Sequence, residues 1–202
     1  MSDDARLFAP STSRNRRPIF EILHPLLPAE GLVLELASGA GEHITGLASE
    51  SAPSLMFQPS DPDSNARHSI DAWTQELGLT NVRPAIELDA AAADWPVDQA
   101  NVVFCINMIH ISPWSATKGL FRGAANIMPP GGILFTYGPY RRDGAHTSPG
   151  NESFDADLRR RNPAWGIRDL EAITELAAEL GFATPDVTEM PANNLSLVFR
   201  LH

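Results

Sequence analysis

The sequence predicts an α/β fold, a mostly parallel sheet of seven strands with an antiparallel C-terminal strand and helices on both faces. Three observations lead to this prediction. Short apolar segments alternate with longer segments of helical spacing through most of the 202 residues, as in consecutive βαβ units. The apolar segment 32–36 ends in a glycine loop that leads into a helix, as in parallel sheets that bind ligands at their strand ends. The last two apolar segments flank a turn, as an antiparallel pair does.

The first half of the chain is predicted to hold three helices and three strands. The helices span 14–27, a short segment that ends near Ser51, and 65–77, and the strands span 32–36, 54–60 and 82–88. Pro28 ends the helical spacing of the first helix, and Gly78 ends the third. The segment 61–64, Asp-Pro-Asp-Ser, forms a turn and supplies an N-cap for the third helix.

The second half begins with the clearest strand, 100–106, which contains a nearly continuous apolar run. The elements predicted after it are a helix over 115–128, a strand over 133–137, a short helix over 152–161, a helix over 167–180, and closing strands over 184–190 and 195–201. We expect one domain, 1–202, with a loosely held tail, 1–13, and a loop-rich insertion, 138–166.

The composition of the chain limits the classes of partner that it is expected to bind. A net charge of -10 argues against nucleic acid, because phosphate binding needs a basic surface. No apolar run is long enough to span a membrane, and the chain start lacks the features of a secretory signal. The single cysteine, Cys105, is consistent with a reducing compartment and is expected to be a small residue of the core. We therefore expect a soluble cytoplasmic protein. Six scattered histidines show no metal-ligand spacing, so no metal site is expected.

The glycine loop contains Gly39 and Gly41, which permit positive φ and close approach of a ligand to the backbone. A dinucleotide fingerprint would need glycine where Ile44 stands, and a phosphate-binding P-loop would need a lysine, whereas the only lysine is Lys118. Glu35 before the loop suits a ligand that carries an ammonium group. Pairing or capping within the domain is the alternative for Glu35.

Polar residues also follow the other predicted strands. Asp61 and Asp89 come after the second and third, with Leu88 beside Asp89, and Asn107 closes the fourth. Because carboxyl ends of parallel strands meet at one edge, these side chains are expected in one crevice. Asp61 can accept two ribose hydroxyls, although turn and N-cap roles are open to it as well.

The segment 35–41 resembles the acid and glycine-loop motif of class I S-adenosylmethionine-dependent methyltransferases, with Ala37 in place of the first glycine. The whole chain further resembles the domain of unknown function 938 family, called methyltransferase-like 26 in animals. The segments that carry this likeness are 14–15, 18–19, 35–43, 58–61, 107–114, 137–140, 151–155, 158–161 and 165–169. The resemblance implies a Rossmann-like class I methyltransferase fold and S-adenosylmethionine as the cofactor.

The resemblance implies a set of cofactor-binding residues: Asn15, Glu35, Ala37, Ser38, Gly39, Gly41, His43, Asp61, Leu88, Asp89, Asn107 and Met108. In it Asp89 is expected near the adenine amino group and Asn107 beside the sulfonium. A capping or solvent-facing role is open to His43. The methyl group of Ala37 is expected to fit only where the backbone keeps a negative φ.

His110, with Asn107, is the catalytic candidate, because an imidazole near neutral pH can take a proton from an acceptor; a structural role is equally open. Class I enzymes often build a lid over the acceptor after the fifth strand. The acceptor-side candidates are Trp114, Tyr137, Tyr140, Asn151, Phe154, Asp155 and Arg159.

The arginines near the insertion, among them Arg159 and Arg168, either bind an anionic acceptor or brace the insertion by pairing with Asp155 and Asp169; bracing is favoured. The prediction is a methyltransferase acting on a small molecule, anionic in one alternative, with O-methylation slightly preferred over N- or S-methylation. A cofactor-binding regulatory protein with little catalysis and an NAD-dependent oxidoreductase are the alternatives.

Overall fold

A computed structural model describes residues 5–10 and 12–202, and its central feature is a six-stranded sheet. The strands are β1 (Gly31–Leu36), β2 (Leu55–Pro59), β3 (Val102–Ile106), β4 (Ile133–Gly138), β8 (Asp186–Met190) and β9 (Asn194–Arg200), in the order β2-β1-β3-β4-β9-β8. The first four are parallel, whereas β9 is antiparallel to both β4 and β8. The predicted mixed sheet with an antiparallel C-terminal strand is confirmed, although with six strands.

The remaining elements cover the sheet. The helices are α1 (Thr12–Leu23), α2 (Glu42–Ser49), α3 (Ser64–Glu76), α4 (Trp114–Ile127), α5 (Pro149–Arg161) and α6 (Leu170–Glu179), and a small second sheet joins β5 (Tyr140–Arg142), β6 (Ala145–His146) and β7 (Arg168–Asp169). No helix within the described ranges is long and apolar enough to cross a bilayer.

Two apolar clusters fill the two faces of the sheet, because alternate residues of the buried strands point to opposite sides. Val33 and Phe104 pack on one face with α1 and α2, whereas Leu34 and Cys105 pack on the other with α4 and α6. Helices therefore lie on both faces, as predicted. Cys105 is buried, and burial raises the pKa of its thiol, as expected of a core residue.

The predicted third strand, 82–88, is wrong as a continuous strand. The segment runs along β2 but meets it only in two isolated bridges, Phe57 with Val82 and Ser60 with Ile86. Backbone hydrogen bonds form at both ends, for example from Arg83 to Phe57 and from Ile86 to Pro59. Proline at 59 and 84 removes two amide donors in between, so the ladder is interrupted.

The described residues at the chain start, 5–10, contact α3, and the loosely held tail that the sequence suggests for 1–13 stays a prediction. The Leu7 amide donates to Ser69 Oγ at 2.7 Å, and Trp73 Nε1 donates to the Leu7 carbonyl at 3.0 Å. Phe8 packs edge-on against Trp73, with 5.1 Å between the ring centroids. The expectation for 1–4 and 11 lies outside the described residues. Residues 5–10 thus form a strap, named so below, that crosses α3.

Candidate functional site

A cavity of ≈ 170 Å³ opens at the carboxyl ends of β1 and β3, where an open α/β sheet binds its ligands. We call it the glycine-loop cavity. It is lined by Ala9, Thr12, Glu35, Ala37, Ser38, Gly39, Ala40, Gly41, Glu42, His43, Ile106, Asn107, Met108 and Ile111. The parallel register that places Glu35 beside Phe104 brings the loops after β1 and β3 together here. Most of the predicted cofactor residues therefore converge in one place.

Glu35 is the only core-strand acid in this cavity, and it is 1% exposed. Its Oε2 has no hydrogen-bond partner within the described residues. Burial raises the pKa of this carboxyl well above its ordinary value, a hydrogen bond from Ser38 opposes the shift, and the charge of Asp61 adds to it. A buried carboxyl with an unused oxygen is suited to a cationic hydrogen-bond donor.

The glycine loop is built from left-handed backbone conformations. Gly39 has φ 55° and Gly41 has φ 92°. A Cβ on Gly41 would lie 2.9 Å from the Ile70 Cα, whereas a Cβ on Gly39 would meet nothing within 4 Å. Gly41 is therefore needed for packing of the loop on α3, and Gly39 leaves its surface open to a ligand.

Ala37 departs from expectation. Its φ is 53°, so the condition of a negative φ that was set for its methyl group is not met. The backbone here keeps the left-handed turn that suits the glycine of the motif, and the alanine adopts it under strain. Its side chain still lines the glycine-loop cavity.

Asp61 shapes the loop rather than lining the cavity. Its buried carboxylate accepts hydrogen bonds from the Gly39 and Asp63 amides, both at 2.9 Å. Asp63, in turn, caps α3 by accepting from the Asn65 amide. The turn role that the sequence left open for Asp61 is thus present, and its contact with a ribose stays a prediction.

Asp89 and Leu88 do not line the glycine-loop cavity. Asp89 is exposed and accepts a hydrogen bond from the Ala91 amide at 2.8 Å, whereas Leu88 is 3% exposed in the core. Their predicted place beside an adenine stays a prediction.

A buried polar network leads away from the glycine-loop cavity. His43 Nε2 lies 3.0 Å from Asn15 Oδ1, Asn15 also hydrogen-bonds Tyr137, and Asn194 Nδ2 donates to the Tyr137 hydroxyl at 3.1 Å. Burial, with a smaller effect of Arg16, lowers the pKa of His43 to about 4. His43 is therefore neutral at pH 7 and donates its Nε2 proton to Asn15.

The network ends in a second cavity of ≈ 500 Å³, which we call the His110 cavity. It is lined by Arg14, Asn15, Asn107, His110, Ile111, Tyr137, Pro139, Asn151, Phe154, Pro191, Ala192 and Asn194. Its volume is in the range of small-molecule sites. Asn107 and Ile111 line both cavities, so the two cavities adjoin at the end of β3.

His110 is 4% exposed, and its ring packs edge-on against Phe154 with 5.6 Å between centroids. Burial lowers its pKa to about 4, with a smaller contribution from the charge of Arg168. No ring nitrogen of His110 hydrogen-bonds to a described residue. The ring is therefore neutral at pH 7 and has a nitrogen available to a ligand, and its lowered pKa makes it a weaker base than an ordinary imidazole.

Two of the acceptor-side candidates, Tyr140 and Trp114, lie outside the His110 cavity. Tyr140 is 1% exposed in the core beneath α4 and α6, where its hydroxyl hydrogen-bonds Thr136 Oγ1 at 2.7 Å. Trp114 begins α4, packs on the same core and lies under Arg168. Neither lines the His110 cavity, whereas Tyr137, Asn151 and Phe154 do.

Asp155 and Arg159 are also outside the His110 cavity, because they brace the insertion. The Arg159 Nε lies 3.0 Å from Asp155 Oδ2, and Asp155 Oδ1 accepts from the Ile167 amide. Arg168 donates to the Ser112 and Ala164 carbonyls instead of pairing with Asp169. The favoured bracing interpretation thus holds for Arg159, and Arg168 braces through backbone oxygens.

Several lining residues were not predicted as site residues. Arg14 and Asn194 line the His110 cavity, and Thr12 and Glu42 line the glycine-loop cavity. The sequence carried a signal for Arg14, which adjoins the predicted Asn15, and for Glu42, which lies between the predicted Gly41 and His43. Thr12 and Asn194 come from the starts of α1 and β9, and their approach to the site depends on tertiary packing.

A larger cavity of ≈ 730 Å³ lies elsewhere, around Gly31 and Met56 at the amino ends of β1 and β2. Ligands of open α/β sheets bind at the carboxyl ends, and this cavity holds none of the strand-end residues described above. The functional site is therefore placed at the two adjoining cavities.

Fold and site together define a class: this is the fold of the class I S-adenosylmethionine-dependent methyltransferases. An O-methyltransferase family protein from Burkholderia thailandensis superposes with a TM-score of 0.80 at 17% identity, over 95% of this chain and 57% of that one. Human N-acetylserotonin methyltransferase, in complex with S-adenosylmethionine, gives 0.74 at 14% identity, over 95% and 52%. The chain thus spans little more than half the length of these two proteins.

A methyltransferase from Aquifex aeolicus, named as S-adenosylmethionine-dependent, matches along nearly its whole length. Its TM-score is 0.69 at 15% identity, over 96% of this chain and 94% of that one. The chain belongs to the family described as protein of unknown function DUF938, whose family model matches residues 6–201.

Proposed function

We propose that the protein is a methyltransferase that uses S-adenosylmethionine to methylate a small molecule, with a hydroxyl as the preferred acceptor atom. The observation that carries the proposal is the meeting of two cavities at Asn107, one containing a buried carboxyl and a glycine loop, the other a neutral histidine. The similarity of the fold to proteins named as methyltransferases supports the same reaction class.

The residues of the glycine-loop cavity fit the cofactor. Glu35 offers its unpartnered Oε2 to the ammonium of the methionine end, and the open surface of Gly39 permits close approach. When bound, S-adenosylmethionine supplies an electrophilic methyl group. Asn107 lines both cavities, which supports a role in orienting the acceptor towards that methyl group.

His110 supplies the base. Its pKa near 4 keeps the ring unprotonated at neutral pH, and neither nitrogen is committed to a hydrogen bond with a described residue. It would take the proton of an acceptor hydroxyl, whose oxygen would gain the methyl group as the methyl–sulfur bond breaks and S-adenosylhomocysteine leaves. This step is the reason that O-methylation is preferred in the proposal.

The test is conversion of S-adenosylmethionine labelled in its methyl group, with fractions of a small-molecule extract as acceptors. We expect label to reach one fraction, and His110→Ala to lower the rate by roughly 10²–10⁴-fold while leaving the affinity for S-adenosylhomocysteine nearly unchanged. His68→Ala, an exposed histidine on α3, is the matched control.

An unchanged rate in His110→Ala would remove that residue from the mechanism. Binding of S-adenosylhomocysteine without transfer to any fraction would favour a regulatory protein that retains the cofactor site. Tight NADH binding without binding of S-adenosylhomocysteine would contradict the proposal as a whole.

A further inference from the structure

The charge of the residues that line the His110 cavity is opposite in sign to the net charge of the chain. Acidic residues exceed basic ones by 25 to 15, yet no Asp or Glu lines this cavity, and Arg14 is its one formally charged lining residue. His110 is neutral there, as described above. The polar lining is otherwise amide and phenol groups, such as Asn107, Asn151 and Tyr137. An acidic protein thus presents an acceptor cavity whose only charge is positive.

Arg14 has no ion-pair or hydrogen-bond partner within the described part of the chain. Its neighbours on α1 are engaged, since Arg16 contacts Glu50 and Arg17 pairs with Glu21. Arg14 is exposed and also lines the cavity, so the residue is in contact with both solvent and the cavity. A guanidinium left unpaired beside a cavity is suited to a carboxylate or phosphate ligand.

The arginines that the sequence suggested for an anion are unsuited to that role. Arg159 pairs with Asp155, and Arg168 donates to backbone carbonyls, so both brace the insertion. Arg14, which lies on the first helix, is therefore the arginine that is available to pair with an anion. On the cavity wall, Phe154 and Ile111 offer apolar surface to the body of a ligand.

We propose that the methyl acceptor is a small acid, with an apolar body against Phe154 and a carboxylate or phosphate paired with Arg14. This proposal rests on the proposed function, because it names the substrate class of the same site. It also gives the two cavities different charge, since Glu42, together with Glu35 once a cation is bound, lines the glycine-loop cavity. Such a division favours the anionic acceptor in one cavity and the cationic cofactor in the other.

The experiment compares acids with neutral analogues of nearly the same shape. The probes are 4-hydroxybenzoate and 4-hydroxyphenyl phosphate, each against 4-hydroxybenzamide, titrated by NMR into the full chain with and without S-adenosylhomocysteine. We expect at least one acid to bind about tenfold more tightly than the amide. The ratio should approach one in Arg14→Gln, and it should fall with added salt.

Arg17→Gln is the matched control, because this exposed arginine lies on the same helix and does not line the cavity. It should keep the wild-type ratio. A ratio near one in the wild type, absence of binding by every probe, or an undiminished ratio in Arg14→Gln would overturn the proposal. Failure of S-adenosylhomocysteine to bind would instead count against the proposed function, since the acid-to-amide ratio is also measured without it.

Discussion

Ala37 occupies a backbone conformation that glycine adopts without cost, at the position where the methyltransferase motif has its first glycine. Ala37→Gly should relieve the left-handed strain, which is worth roughly 1–2 kcal/mol, and lose part of that gain to the freer unfolded chain. We expect a net stabilisation of roughly 0.5–1 kcal/mol in chemical denaturation.

Ala40→Gly is the control for this substitution, because Ala40 lies in the same loop without a positive φ. It should lower the stability, since glycine there only frees the unfolded chain. Equal destabilisation by both substitutions would show that Ala37 is not strained.

His43 links stability to pH. Its pKa is lowered to about 4 in the folded protein, so between that value and its ordinary 6.5 only the unfolded chain takes up a proton. The contribution of His43 to the free energy of unfolding is complete above pH 6.5 and is lost as the pH falls towards 4, by up to about 3 kcal/mol. His43→Gln keeps a donor for Asn15 but removes the titration. Its deficit relative to wild type at pH 7.5 should shrink at pH 4.5 in urea unfolding, and a constant deficit would contradict this account.

Among single residues, the sequence predicted the position in the fold best where a residue of suitable chemistry also lies at the end of a predicted strand. Glu35 lies near the end of β1, and Gly39 and Asn107 lie in the loops that follow β1 and β3, so their convergence followed from topology. Tyr140 was misplaced because it follows Pro139 in a new short strand, and the side to which a side chain points after such a bend depends on packing. The role of Arg14 could not be predicted from the sequence, because it depends on the cavity that the fold creates.

The strap is the element whose role depends most on tertiary contacts. Ala9 lines the glycine-loop cavity, and the Ala9 amide donates to Glu42 Oε2 at 2.7 Å, while the strap residues before it are anchored on Trp73. Trp73→Ala should release this anchor and raise the dissociation rate of S-adenosylhomocysteine by roughly three- to tenfold in stopped-flow measurements.

Trp165→Ala is the matched control for the strap, because that indole contacts Arg161 in the insertion and lines neither cavity. Hydrogen exchange at Leu7 and Ala9 should quicken only in Trp73→Ala. Faster exchange with an unchanged dissociation rate would show that the strap does not retain the ligand.

At the element scale, periodicity predicted the helices and buried strands with ends shifted by a few residues. β3 is an uninterrupted buried apolar run, and α3 begins at a sequence-visible cap, Asp63. The segment 82–88 was misread because its apolar pattern outweighed two prolines, one of them on the neighbouring strand. The strap left no periodic signal at all, since it is held by single contacts to α3.

Across the whole molecule, charged residues are distributed unevenly between the two cavities, and the net charge of the chain does not reveal this. The chain is acidic overall, yet carboxyls line the glycine-loop cavity and a lone arginine lines the His110 cavity. The fold class and the cofactor prediction followed from motif order along the chain. The acceptor side did not, because it is assembled from α1, the insertion and β9, which are distant in sequence.

The central claim is that Glu35 and the glycine loop bind S-adenosylmethionine. Burial raises the pKa of free Glu35, and a bound ammonium would favour its carboxylate, so binding should release a proton and strengthen with rising pH, which is followed here between pH 5.5 and 7.5. Glu35→Gln should remove both this pH dependence and a large part of the affinity, whereas Glu50→Gln, at the exposed end of α2, should change neither.

The measurement is a calorimetric titration of S-adenosylmethionine into wild type, Glu35→Gln and Glu50→Gln across that pH range. We predict one-to-one binding, weakened about tenfold or more in Glu35→Gln alone. Absence of binding by the wild type, or equal and equally pH-dependent binding by wild type and Glu35→Gln, would contradict the account.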